Sequence, residues 1–295
     1  MTTAISNDPS AQGNSTTSTV LAVGAAGSAA GLVVPELARR GATVRALVQR
    51  PGQADVVRSR GATEVAVGDL TDDASIEEAL KGVDAVFYIA PAFIDDEAEI
   101  GVNMVHAAQR AGVRRFVFSS VIDPVIGALV NHSAKTPVEA AIIESDMEFS
   151  LLQPAMFMQN LSSSWPAAAR DGVYAEPWSA TTRFARVDYR DVAEVAAVAL
   201  TEDRLLYGTF QLCAEGNLDR HDLAALMSDV WGTPVTPGGP ARAGSASRQD
   251  PASPTGLMID WYQHHGLPGN ALILRAILGR EPRTLRSYLE GLAAA

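Results

Sequence analysis

From residue 19 to residue 152, short apolar runs alternate with stretches of helical periodicity. The runs at 19–23, 43–48, 64–67, 85–89, 116–119 and 150–152 predict strands. Between them, apolar positions recurring at helical steps predict helices over 28–40, 53–60, 75–80, 95–111 and 137–144. Gly41, Gly61, Gly82 and Gly112 follow four of those helices, where a left-handed residue can end the coil. Strands separated by helices pair only through crossovers, so the sheet must be parallel and covered on both faces. The predicted fold class is α/β, a Rossmann-like doubly wound parallel sheet.

Beyond Pro154 the rhythm changes. Strands are predicted at 184–187 and 209–212, helices at 192–200 and 220–230, and two or three more helices over 257–292. The stretch 237–254, rich in Gly, Pro, Ala and Ser, reads as a mobile loop. The expected organisation is a disordered tail over 1–18, a Rossmann-like core over 19–155, and a mixed segment over 156–295. That last segment returns strands to the sheet and builds a smaller, mostly helical substrate cap.

Charge narrows the partners. The 295-residue chain carries a net charge of −11 and shows no basic stripe, which argues against nucleic acid and for a small molecule. Its single cysteine, Cys213, excludes an intrachain disulfide framework and points to a reducing, cytoplasmic setting. The apolar run 20–34 lacks a basic leader and is too short to span a membrane. His264 and His265 lack metal-ligand spacing and read as a helix end, so no metal is expected. A homo-oligomer is left open.

The first strand runs directly into Gly24-Ala-Ala-Gly27-Ser-Ala-Ala30-Gly31. A diphosphate needs exposed backbone N–H groups at a helix start, and side chains at Gly24 or Gly27 would block the turn or the approach. Ala30 is small enough for the close helix–strand contact made there. The turn follows a strand and opens a helix, which is the context a dinucleotide site requires. No acid closes the second strand to grip ribose hydroxyls. Arg50 stands nearby and favours the 2′-phosphate of NADP(H) over NAD(H), or is simply solvated. Asp69, with Leu70, either meets the adenine or forms a turn.

These motifs resemble the NmrA-like branch of the atypical short-chain dehydrogenases/reductases over about residues 19–290. Beyond the glycine turn, the likeness rests on Gly68-Asp-Leu70, Phe116-Val-Phe-Ser-Ser120, Leu152-Gln-Pro154, Phe157-Met-Gln-Asn160 and Val187-Asp-Tyr-Arg-Asp-Val192. The resemblance implies that Gly24, Ala26, Gly27, Ser28 and Ala29 face the pyrophosphate, and Asp69 and Leu70 the adenine. It implies Ala90 and Pro91 at the nicotinamide ribose, Lys135 on ribose hydroxyls, and Pro154, Ala155, Met156 and Phe157 beside the nicotinamide and substrate. Three positions depart from the pattern. Ala26 replaces a Thr, Gln49 replaces a basic residue, and Asn131 stands where Tyr-x-x-x-Lys would place its proton donor.

Reduction of a carbonyl, imine or activated alkene needs a proton as well as a hydride. Ser120, at the end of the fifth strand, either hydrogen-bonds a substrate oxygen or caps its loop. His132, with Lys135 beside it, is the candidate proton source at neutral pH or else a surface or backbone-satisfied side chain, and Tyr88, on a neighbouring strand, is a second candidate or else a core residue. Thr136-Pro-Val-Glu139 reads as a capping box that would leave Lys135 in the preceding loop. Asp188 reads as a helix cap within an ion-pair cluster. Phe93, Met156, Phe157, Met158, Trp165 and Trp178 are candidates for an apolar pocket, which suits an aromatic, quinone-, enone- or imine-like substrate. The expected function is an NAD(P)H-dependent reductase, with a non-catalytic NAD(P)-sensing regulator as the alternative.

Overall fold

The computed structural model describes residues 18–91, 93, 94, 96–239 and 250–294. The expected tail, apart from Ser18, and the middle of the loop expected over 237–254 lie outside the described residues. Six strands build the amino-terminal part: β1 (Thr19–Val23), β2 (Thr43–Val48), β3 (Glu64–Val67), β4 (Ala85–Ile89), β5 (Arg115–Ser119) and β6 (Glu148–Pro154). Six more follow: β7 (Met156–Phe157), β8 (Val173–Tyr174), β9 (Phe184–Val187), β10 (Gly208–Leu212), β11 (Asn217–Leu218) and β12 (Thr236–Pro237). The main sheet has seven strands in the order β10-β6-β5-β4-β1-β2-β3. Every pairing in it is parallel. The order reverses between β1 and β4, and at such a switch point the loops part to leave a crevice.

The helices are α1 (Val33–Arg39), α2 (Ala54–Ser59), α3 (Asp73–Leu80), α4 (Glu97–Arg110), α5 (Val130–Ser133) and α6 (Thr136–Glu144). After them come α7 (Trp165–Asp171), α8 (Tyr189–Thr201), α9 (Arg220–Trp231), α10 (Pro254–His264), α11 (Leu272–Leu278) and α12 (Leu285–Ala293). Both sheet faces are buried, which is why the strands read as near-continuous apolar runs. Val20, Ala22, Phe87 and Val117 meet α1 and α8 on one face, while Leu21, Val86, Phe116 and Phe118 meet α3, α4 and α6 on the other. Helix α8 is buried around almost its whole girth, and its run of alanines permits close approach to the sheet.

Local polar contacts fix the ends. Asp188 caps α8 by accepting the Arg190 N–H at 2.9 Å, as its position after a strand predicts. Arg115 is almost wholly buried; it donates to the Glu202 carbonyl at 2.8 Å and to Asp203 at 2.6 Å, binding the start of β5 to the end of α8.

Two local expectations are corrected. Regular helix begins at Val33, after a turn of tighter 3-10 helix over Ala30–Leu32, and not at residue 28. The capping box at Thr136 does not form. Thr136 Oγ1 donates instead to the Pro124 carbonyl at 3.0 Å, and Glu139 accepts from Gln153 at 3.0 Å, so longer-range partners outcompete the local cap.

Over the carboxyl edge of the sheet lies the cap, in which α7, α9 and α12 share a core with Met158, Leu161 and Tyr174. Trp165 belongs to that core, its ring centroid 4.0 Å from that of Trp231, and not to the pocket expected for it. The small sheets β11-β9-β7 and β12-β8 supplement these helices.

Candidate functional site

At the switch point the turn after β1 forms one wall of a cleft of about 370 Å³. Gly24 adopts φ +75°, a left-handed conformation that side chains disfavour, and Gly27 N donates to the Gly24 carbonyl at 2.8 Å. A Cβ on Gly27 would approach that carbonyl to 3.1 Å. Behind the turn, Arg60 Nη1 donates to the Ala25 carbonyl at 2.7 Å and to the Gly27 carbonyl at 2.9 Å. Two carbonyls are thereby occupied on the protein side, and a positive charge stands behind the turn. Gly31 is required for this, because a Cβ there would lie 1.8 Å from Arg60 Nη1. These features fit a diphosphate group.

Gly24, Ala26, Gly27, Asp69, Leu70 and Pro91 share this cleft, together with Gln49 and Gln53. Ser28, Ala29, Arg50 and Ala90 are not in its wall. Arg50 is exposed and opens the short helical turn Pro51–Gln53, where its backbone N–H donates to Gln53 Oε1 at 3.0 Å. Asp69 serves as a turn residue while it lines the cleft. Its Oδ1 accepts from Thr71 N at 2.9 Å and Thr71 Oγ1 at 2.8 Å, and these bonds hold the carboxyl below its ordinary pKa.

The loop after β4 joins this cleft to a second space. Pro91 and Ile94 line the cleft, and Phe93 lines a cavity of about 500 Å³. Met156, Phe157, Trp178, Met258, Tyr262 and Leu267 give much of the cavity an apolar lining. Asn131 and His132, on α5, supply polar groups to it. The segment carrying Met156 and Phe157 is fastened to α8 through Gln159, which donates to Asp188 at 2.8 Å and accepts from Tyr189 N at 3.0 Å.

Placement changes the chemistry of several candidates. Lys135 follows Asn131 by one helical turn and donates to its carbonyl at 3.0 Å. The ammonium is buried and ion-paired with Glu97, at the start of α4, leaving one of its three N–H donors unassigned. Ser120 is buried, its Oγ has no partner, and it lines neither space. Pro154 likewise lines neither. Tyr88 is fully buried, stacked on Phe118 at 5.6 Å, and burial raises its pKa, so it is a core residue. Met158 belongs to the core beneath the cap.

His132 faces the cavity from a buried position. Burial lowers its pKa below the ordinary 6.5, so the ring is neutral at pH 7. Its Nδ1 lies 3.4 Å from the Asp123 carbonyl, and a carbonyl only accepts, so the neutral ring carries its proton on Nδ1. A depressed native pKa makes the unfolded state bind more protons below 6.5. The stability contributed by His132 is therefore present above that pH and lost as pH falls towards the native pKa. His132→Asn should flatten the decline as pH falls below 6.5 in urea unfolding, and an unchanged decline would contradict the assignment.

Known proteins share this fold. The NmrA-like family matches residues 16–237. The chain belongs to the NmrA-like family. Its relatives include an NAD(P)H azoreductase from Xenophilus azovorans, 31% identical over 222 residues, which span 73% of this chain and 75% of that enzyme. The triphenylmethane reductase of Citrobacter sp., solved with NADP(H), superimposes with a TM-score of 0.80 at 20% identity over 93% of this chain and 100% of its own. NmrA, a negative transcriptional regulator solved with NADP, gives a TM-score of 0.75 at 17% identity over 93% of this chain and 94% of its own. The Rossmann-like fold and membership of the NmrA-like family are thus established. Among the described residues no helix is long and apolar enough to cross a membrane, and no group of side chains is arranged to hold a metal.

Within this NmrA-like frame, sequence reading missed Arg60 and Glu97. Gly31 was the available signal for the first, a small residue facing the second βα unit. Nothing local marks Glu97, whose partner lies 38 positions away.

Proposed function

We propose that this chain is an NADPH-dependent reductase of a small aromatic acceptor with a conjugated carbonyl, imine or azo group. The observation that carries the reading is the loop after β4, which lines the cofactor cleft through Pro91 and the apolar cavity through Phe93. A substrate in the cavity would lie next to whatever projects from the cleft. The bound dinucleotide would supply a hydride, two electrons with one proton; a second proton, ultimately from water, completes the reduced product.

The chain's own groups orient and shield. Gly24, Ala26 and Gly27 would hold the pyrophosphate, Asp69 and Leu70 the adenine, and the free N–H of Lys135 a ribose hydroxyl. Ala155, Met156 and Phe157 would exclude water from the substrate, and Asn131 would hydrogen-bond the oxygen or nitrogen that gains charge. Ser120 would come within reach only through a side-chain rearrangement. Neutral His132 would act as a hydrogen-bonding group and not as a cation. An acceptor whose reduced form is a stabilised anion needs no proton during hydride transfer and can be protonated by solvent afterwards, which accommodates Asn131 at the tyrosine position.

Stopped-flow absorbance at the nicotinamide band, with a naphthoquinone, an azo dye and a triarylmethane dye, tests the reading. Equimolar NADPH oxidation with one of these classes is expected; none with any, at saturating cofactor, would defeat it. Asn131→Ala should reduce kcat/KM roughly tenfold to a hundredfold. Arg50, close to the Gln49–Gln53 rim, would reach a 2′-phosphate. Arg50→Ala should weaken NADPH about tenfold with little change for NADH, and equal losses would remove the NADPH preference.

Asn131 at the tyrosine position also favours a second reading, a redox sensor without turnover. That reading requires unequal affinities for oxidised and reduced cofactor, which calorimetry measures directly.

A further inference from the structure

One polar corner of the cavity has no part in the reaction just proposed. Arg186, on β9, and Glu176, after β8, both line the cavity. Their side chains are ion-paired at 2.9 Å with only 4% and 9% exposed. Two charges placed against an apolar cavity cost several kcal/mol each in lost hydration, and their attraction offsets this well only when the remaining donors are satisfied. They are not. Among the described residues Arg186 Nε has no acceptor, and Nη1 meets the Leu218 carbonyl only at 3.4 Å. Trp178, which lines the same cavity, has a buried indole N–H that likewise meets no acceptor among the described residues.

The wall is also built to stay in place. Arg220, almost fully buried, donates to the Glu176 carbonyl at 2.7 Å and to the Gly238 carbonyl at 2.8 Å, and also bonds the Trp178 carbonyl. These bonds fix the backbone from which Glu176 and Trp178 project. Arg186 is set by the pairing of β9 with β7, where it lies opposite Met156. The corner thus holds a prepositioned guanidinium and an indole, each with an unmatched N–H donor, beside a cavity with much of its lining apolar.

We propose that this corner is a recognition subsite for a neutral hydrogen-bond acceptor on the substrate, a carbonyl oxygen in the first instance. Glu176 already balances the Arg186 charge and would repel an anion, so a carboxylate or sulfonate is disfavoured. A small side-chain adjustment brings Arg186 or Trp178 onto the acceptor, satisfying a donor that protein contacts leave idle. The subsite would select aromatic acceptors bearing a carbonyl over bare hydrocarbons. The inference rests on the reading of this cavity as the substrate's, but not on turnover.

Binding to the NADP⁺-saturated protein, followed by calorimetry, separates the two. The probes are naphthalene, 2-acetylnaphthalene and 2-naphthoate. 2-Acetylnaphthalene should bind about tenfold more tightly than the other two. Glu176→Met/Arg186→Met, which replaces the pair by apolar volume, should remove the Arg186 share of the preference while NADP⁺ affinity stays unchanged. Trp178→Phe keeps the ring and should remove part of the preference. Equal affinity of the wild-type protein for naphthalene and its acetyl derivative would overturn the subsite. So would tighter binding of naphthoate, a preference undiminished by the double substitution, or no binding of any probe. A retained preference alongside a silent stopped-flow panel would defeat the reductase reading alone.

Discussion

Gly31→Val should cost roughly a hundredfold in NADPH affinity, about 2.7 kcal/mol, while leaving a folded protein. A Cβ at this position would meet Arg60 Nη1 at 1.8 Å, Arg60 Cζ at 2.6 Å and the Ala25 carbonyl at 2.9 Å. The guanidinium can swing away, but the Ala25 carbonyl is backbone and belongs to the turn itself. Expelling Arg60 frees the carbonyls of Ala25 and Gly27, so the turn loses both its brace and the cation behind it. Fluorescence titration of NADPH measures the loss, and the far-ultraviolet spectrum and melting curve check the fold. Arg60→Met, which removes the brace without a clash, should give a smaller loss of the same kind. Wild-type affinity in both variants would show that the brace does not shape the phosphate site.

Glu97→Ala is expected to have the largest effect on stability. It strands the Lys135 ammonium, whose side chain is only 8% exposed, with the Asn131 carbonyl as its remaining described partner. Removing one member of a buried ion pair typically costs about 3–5 kcal/mol. For a chain of this size the melting temperature should fall by roughly 10 °C. Glu97 also accepts the Phe93 N–H at 3.2 Å, so the loop between cleft and cavity should loosen as well. Glu97→Leu combined with Lys135→Met removes both charges and should recover most of the stability, because no unpaired ion remains. That double variant should still lose cofactor affinity if Lys135 holds a ribose hydroxyl. Full recovery of both properties would assign the pair a purely structural role.

The two substitutions probe different kinds of information. Gly31 stands inside a motif that was readable as written, yet its steric necessity comes from Arg60, in the next βα unit. The pair of Glu97 and Lys135 joins α4 to the region between α5 and α6, and neither local sequence names the other. The capping box at Thr136 shows the converse, a convincing local motif displaced by partners at Pro124 and Gln153. The sequence left His132 open as a proton source or a backbone-satisfied side chain; the burial that lowers its pKa is a property of the folded environment.

What the sequence alone determined was the alternation of strand and helix, hence a doubly wound parallel sheet, and the glycine turn that makes a diphosphate site possible. Those features follow from side-chain period and backbone sterics, which act over a few neighbouring residues. Only the tertiary structure decided that Arg60 braces the turn, that Lys135 is tied to Glu97, and that Arg186 and Trp178 carry idle donors beside the cavity. Each depends on groups distant along the chain meeting where water is excluded, and desolvation and hydrogen-bond satisfaction are set only when the whole chain has folded.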